Sequence, residues 1–158
     1  MTKSGIKLVL GTLLATALGC GGSDTDTSLD QASTASTAAQ TAAVFTGSLT
    51  VSTTSTTVGT PFTVTETATN LTGAQVGPII IGIRRLGLTV VSSQKPRTGI
   101  CRIAGSATCN FVELAPNETQ SYKLTLTANA PGTYQIQGWT TSSYVSGGFS
   151  GSATITVQ

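Results

Sequence analysis

The chain has no histidine, three cysteines (Cys20, Cys101 and Cys109) and six acidic side chains, so the chemistry open to it is narrow. Without imidazole there is no His–metal site, no Ser-His-Asp triad and no Cys-His pair. One Met and three Cys do not replace the ligands a copper centre needs. Glu66 and Glu113 are lone carboxylates, with no paired-acid spacing for glycoside or acid–base chemistry. No cofactor is expected, and a non-enzymatic protein is. Cys101 and Cys109 flank Arg-Ile-Ala-Gly-Ser-Ala-Thr. This is not redox or metal spacing, and Gly105-Ser106 permits a turn between two extended arms. A structural disulfide is expected, with a loop this short contributing about 2.5–3 kcal/mol. Cys20 is then the odd cysteine and needs its own explanation.

Binding chemistry offers more than catalysis does. Trp139, Tyr144 and Phe149 cluster around Val145-Ser146-Gly147-Gly148, and aromatics near a loop tip can grip sugars or proteins. Five bases, Arg84, Arg85, Lys95, Arg97 and Arg102, lie close together in sequence, either as scattered solvated charge or as a patch for an anionic surface. Glu66 shares its alternation phase with Phe62, Val64 and Ala68, so it is expected inside. There it must find a partner or hold a proton, and Arg84 and Arg85 are the candidate partners. If Glu66 is merely structural, Glu66→Leu is expected to leave stability unchanged or raise it.

The elements around these residues begin with an export signal. Lys3 and Lys7 precede an apolar run from Leu8 to Leu18, too short for a lasting membrane span but suited to a signal-peptide core. Ala15-Thr16-Ala17 fits ordinary signal peptidase. Ala17-Leu18-Gly19-Cys20 resembles the lipobox of bacterial lipoproteins, with Ala17 where Leu is usual. That resemblance implies a leader of residues 1–19, an acylated Cys20 and lasting attachment through more than one acyl chain. Gly21 lacks the acidic residue of inner-membrane retention, so the outer membrane is the implied address. Residues 20–44 are rich in Ser, Thr, Ala and Asp and bury little, which reads as a flexible linker. Asp24, Asp26 and Asp30 lack the Gly and Glu of a calcium loop.

From Phe45 the apolar period becomes two. Phe62–Thr69, Ile79–Ile83, Leu88–Val90, Tyr122–Leu126, Tyr134–Ile136 and Ala153–Val157 are short β-prone runs. Val58-Gly59-Thr60-Pro61, Thr72-Gly73, Gly77-Pro78, Pro116-Asn117 and Pro131-Gly132 punctuate them. The expectation is an all-β domain over 45–158, an Ig-like antiparallel β-sandwich of about seven strands. The run Gly77–Ile83 is expected to be a central strand, and the Asn70-Leu71-Thr72 and Asn117-Glu118-Thr119 sequons to serve turn chemistry.

The Val58-Gly59-Thr60-Pro61 turn, the cysteine hairpin, Cys109-x-Phe111-x-x-Leu114-Ala115-Pro116 and Pro131-Gly132-Thr133-Tyr134 together resemble the bacterial Ig-like "conserved repeat" modules of prokaryotic surface proteins. Asn117 stands where such modules usually place Gly, and Glu66 where they place an aliphatic residue. The resemblance implies stalk, spacer or adhesive roles and carries no catalytic residue. The expected protein is a lipid-anchored module of the cell envelope, periplasmic or surface-facing, with a protein or glycan partner and no nucleic acid. The rival is a carbohydrate-binding module using Trp139, Tyr144 and Phe149 as exposed, coplanar rings.

Overall fold

A computed structural model describes residues 42–158. The expected leader, Cys20 and the linker as far as residue 41 lie outside the described residues. In chain order the strands are β1 (Phe45–Val51), β2 (Ser55–Thr56), β3 (Phe62–Asn70), β4 (Val76–Arg85) and β5 (Leu88–Gln94), then β6 (Ile100–Ile103), β7 (Ser106–Leu114), β8 (Thr119–Ala128), β9 (Gly132–Thr141) and β10 (Phe149–Val157). They form a four-stranded sheet, β1-β3-β8-β5, and a six-stranded sheet, β2-β10-β9-β4-β7-β6. Two such sheets make the Ig-like sandwich. The ten strands exceed the seven or so expected, partly because the two residues of β2 pair parallel with the end of β10.

Alternation decides which side chains meet. Along β3, Phe62, Val64, Glu66, Ala68 and Asn70 are buried, and the Thr residues between them are half-buried on the outer side. Such a strict period of two fits a sheet with one wet face. β4 lies between β9 and β7, and Ile79, Ile81 and Ile83 are fully buried, which makes it the central core strand its composition suggests. Tyr122, Leu124 and Leu126 from β8 and Ile155 from β10 complete the interior. Cys101 and Cys109 stand directly opposite each other on β6 and β7 and form a disulfide with Cα atoms 4.0 Å apart.

The passage from β5 to β6, which changes sheets, is tied down by polar groups. Arg97 donates through Nε and Nη2 to both carboxylate oxygens of Glu118, at 3.1 and 2.9 Å. Glu118 Oε2 also accepts the Ala115 amide at 2.7 Å. These hydrogen bonds, that of Arg97 first, hold the Glu118 carboxyl down at about 2. Asn117 adopts φ 57°. That is the left-handed region Asn tolerates better than most residues, and it explains how Asn serves where a Gly is usual.

Candidate functional site

One extra residue in β7 creates a surface groove walled by two exposed aromatic side chains. Ile81 pairs with Cys109 and Ile79 with Val112, so two steps along β4 face three along β7, a β-bulge. The bulge falls at Asn110-Phe111, where Phe111 has φ 58°. A bulky side chain at positive φ is a backbone outlier. Its consequence is that Phe111, instead of following Cys109 inward, is 63% exposed.

Facing it is the loop after β9. Ser142 Oγ donates to the Pro78 carbonyl at 2.8 Å and accepts the amides of Tyr144 and Val145 at 3.1 and 3.3 Å. This holds the backbone of Tyr144 while its side chain stands 76% exposed. Between the two walls is a groove of about 190 Å³, with Pro78, Ile79 and Ile80 along it and Asn110, Ser142 and Ser143 beside the rings. Exposed apolar patches with a polar rim are characteristic of interaction sites. Holding Phe111 at φ 58° carries a backbone cost of about 1–3 kcal/mol. Phe111→Gly is therefore expected to raise stability by about 1 kcal/mol in urea unfolding while removing one wall of the groove; a loss of stability would mean that the ring itself supports the fold.

The structure distributes the other candidate residues differently from a shared site. Trp139 is half-buried on the outer face of the six-stranded sheet and lies flat over Gly82, its partner across β4, where an added Cβ would strike the indole ring. Phe149 pairs with Thr140 on the inner side and packs beside Gly47 and Gly151. Tyr144 alone of the three rings lines the groove, so the coplanar platform of a three-ring sugar site is not formed. Phe111, which joins Tyr144 there, was not singled out by sequence; its signal is the change of spacing from two to three along Cys109-Phe111-Leu114.

The five bases do not converge either. Arg97 is paired with Glu118. Arg85 donates to the carbonyls of Leu88, at 2.6 Å, and Ala104, at 3.4 Å. Arg84 and Arg102 are exposed on separate strands, β4 and β6, and Lys95 lies in the connection from β5 to β6. Neither Arg84 nor Arg85 pairs with Glu66, contrary to expectation, because Arg84 points outward and Arg85 is engaged by those two carbonyls. Glu66 is fully buried. Its Oε1 accepts the Thr140 hydroxyl at 2.9 Å, and its Oε2 has no partner among the described residues. Burial drives this carboxyl up to about 7, against a smaller lowering by the Thr140 hydrogen bond. Among the described residues, no group of three His, Cys, Asp or Glu side chains is arranged to hold a metal.

No protein-family model matches the sequence, and no curated protein is significantly similar to it. Its sandwich is similar to the CARDB domain of a Pyrococcus furiosus protein in a solution NMR structure, at 15% identity and TM-score 0.51, covering 72% of this chain and 94% of that one. A crystal structure of the same archaeal domain in complex with di-metal ions aligns at 12% identity and TM-score 0.46, over 72% and 91% of the two chains. The cupredoxin domain of amoB from Nitrosocaldus yellowstonii aligns at 14% identity and TM-score 0.43, over 70% and 83%. The first of these likenesses supports the β-sandwich fold, and fold alone does not fix function.

Proposed function

We propose that the protein is a non-enzymatic interaction module of the bacterial cell envelope, anchored by lipid at Cys20 and presenting the Phe111–Tyr144 groove to a protein or glycan partner. The observation that carries this reading is the groove itself. Two large aromatic side chains are held out in solvent, one by a bulge and the other by a loop that Ser142 pins to Pro78. The anchoring half rests on the lipobox-like Ala17-Leu18-Gly19-Cys20. It gains support from the Cys101–Cys109 disulfide, which leaves Cys20 as the chain's unmatched cysteine.

Fractionation and protease shaving of intact cells test the anchoring. Wild type is expected in the membrane fraction and Cys20→Ala in the soluble fraction; equal distribution of the two overturns the anchor. Degradation of wild type on whole cells places the groove outside, and protection places it in the periplasm. The binding half is tested by Tyr144→Ala and Phe111→Ala, each expected to weaken adhesion or envelope-complex recovery at least about tenfold, as removal of a central interface aromatic does. Glycan binding by wild type that is lost in Tyr144→Ala would assign the groove to sugars rather than protein.

A further inference from the structure

We propose that Glu66 is a proton-operated latch between the two sheets: neutral, it sits closed between β3 and β9 with the Thr140 hydroxyl donating to it, and ionised, its buried charge loosens β9 beneath Trp139. The inference goes beyond the envelope reading and does not depend on it.

The geometry is specific. Glu66 stands on the inner face of β3, opposite Leu49 of β1 and Tyr122 of β8. Across the interior it meets β9 at two positions. Thr140 donates to its Oε1, while Oε2 lies against Gly138 so closely that a Cβ there would collide with it. Among the described residues no cation pairs with this carboxyl. β1 offers Leu49 and Gly47, β9 offers Gly138 and Thr140, and β10, through its pairing with β9, offers Phe149 and Gly151. From β8 comes the Tyr122 phenol, whose hydroxyl is itself buried without a partner and whose ionisation burial moves further up. Arg85, at the end of β4, donates to the Leu88 and Ala104 carbonyls, and its charge reaches the Tyr122 phenol, partly offsetting the effect of burial there, but not the Glu66 carboxyl. A neutral carboxyl fits here with one accepted hydrogen bond. A carboxylate keeps the Thr140 hydrogen bond but leaves its other oxygen charged, dry and unpaired, which the interior does not tolerate without admitting water or parting the strands.

The rest of the sequence makes the device readable. With no histidine in the chain, no imidazole competes with this carboxyl in the interval between pH 5 and 8. The single tryptophan, Trp139, sits between Gly138 and Thr140, the two residues Glu66 touches on β9. The sign follows from linkage. The carboxyl rises from 4.5 to about 7 on folding, so the folded state holds the proton more tightly than the unfolded one. Stability is then greatest below about pH 4.5 as far as Glu66 is concerned, falls as pH rises toward 7, and levels beyond it. Glu118 has the opposite sign: its lowered carboxyl contributes above about pH 4.5 and loses that contribution as pH falls toward 2.

The test uses the purified full chain, wild type and Glu66→Gln, from pH 5 to 8.5, with urea unfolding and acrylamide quenching of Trp139 as readouts. Glutamine keeps the shape and the acceptor for Thr140 but cannot titrate. Wild type is expected to become less stable across the interval, with the unfolding equilibrium rising up to about 100-fold, and its Trp139 to become about twofold more quenchable. Glu66→Gln is expected to be flat in both. Should Glu66→Gln fold poorly, Glu66→Leu serves as the second non-titrating variant. A wild-type profile that parallels the variant's in either readout overturns the latch.

Discussion

Gly138→Ala is expected to destabilise the domain by about 2–3 kcal/mol, read as an early urea midpoint with an unchanged slope. Gly138 lies on the inner face of β9, where strand alternation calls for a large apolar residue. Instead, an added Cβ there would meet Glu66 Oε2, with Leu49 Cδ1 2.9 Å away. The obstruction is a carboxyl wedged between sheets, bonded to Thr140 on the same strand as Gly138 and unable to swing aside without breaking that bond. Against a typical net stability of about 5–15 kcal/mol, such a collision removes a large share. Because the obstacle is the carboxyl, shortening Glu66 should relieve it. The double variant Gly138→Ala with Glu66→Ala is expected to be more stable than the sum of the two single effects by at least about 1 kcal/mol. Strict additivity would mean that Gly138 is required by its backbone alone.

That pairing shows where sequence reasoning stops. The inward phase of Glu66 follows from Phe62, Val64 and Ala68 around it, and the structure places it inside. Its partner does not follow, because Thr140 lies 74 residues away and in the other sheet. Alternation fixes the face a side chain takes within its own strand and is silent on which strand crosses opposite. Arg84 and Arg85 were the visible charges near a strand end, and both are turned elsewhere. The cysteine pair was legible for the converse reason: its partners are close in the chain and joined by one turn. Phe111 shares the parity of Cys109, and simple alternation would bury it. The bulge reverses that, and its trace in the sequence is only the irregular step to Leu114. Trp139 reads either as a buried structural ring or as an exposed ring of a sugar platform until β9 is paired with β4, which sets it half-buried over Gly82. Core phase and local closure are thus local properties, whereas the groove and the latch are products of long-range register.

Asn70→Asp is expected to be more damaging than Asn70→Ala, although aspartate differs from asparagine by little more than one atom. Asn70 is 2% exposed, and every polar position of its amide is used. Nδ2 donates to the carbonyls of Ala74 at 2.7 Å, Ala115 at 2.8 Å and Leu114 at 3.3 Å. Oδ1 accepts the Thr72 amide at 2.8 Å and its hydroxyl at 2.9 Å. One side chain therefore ties the end of β3 to the turn after it and to the end of β7 in the other sheet. It also uses the side chain of the Asn70-Leu71-Thr72 sequon to shape the turn after β3, consistent with turn chemistry. Alanine leaves these backbone groups short of partners, for a loss of about 3 kcal/mol. A carboxylate goes further and aims a negative oxygen at three carbonyl oxygens in a dry site, for a loss of about 4 kcal/mol or more at neutral pH. The two variants are also separated by their pH dependence. Those carbonyls drive the introduced carboxyl's proton affinity up, so Asn70→Asp should recover stability as pH falls toward 5, while Asn70→Ala should follow wild type with a constant offset. Parallel profiles in urea unfolding would show that the three carbonyls do not meet that side chain, and the tie between the sheets would have to lie elsewhere.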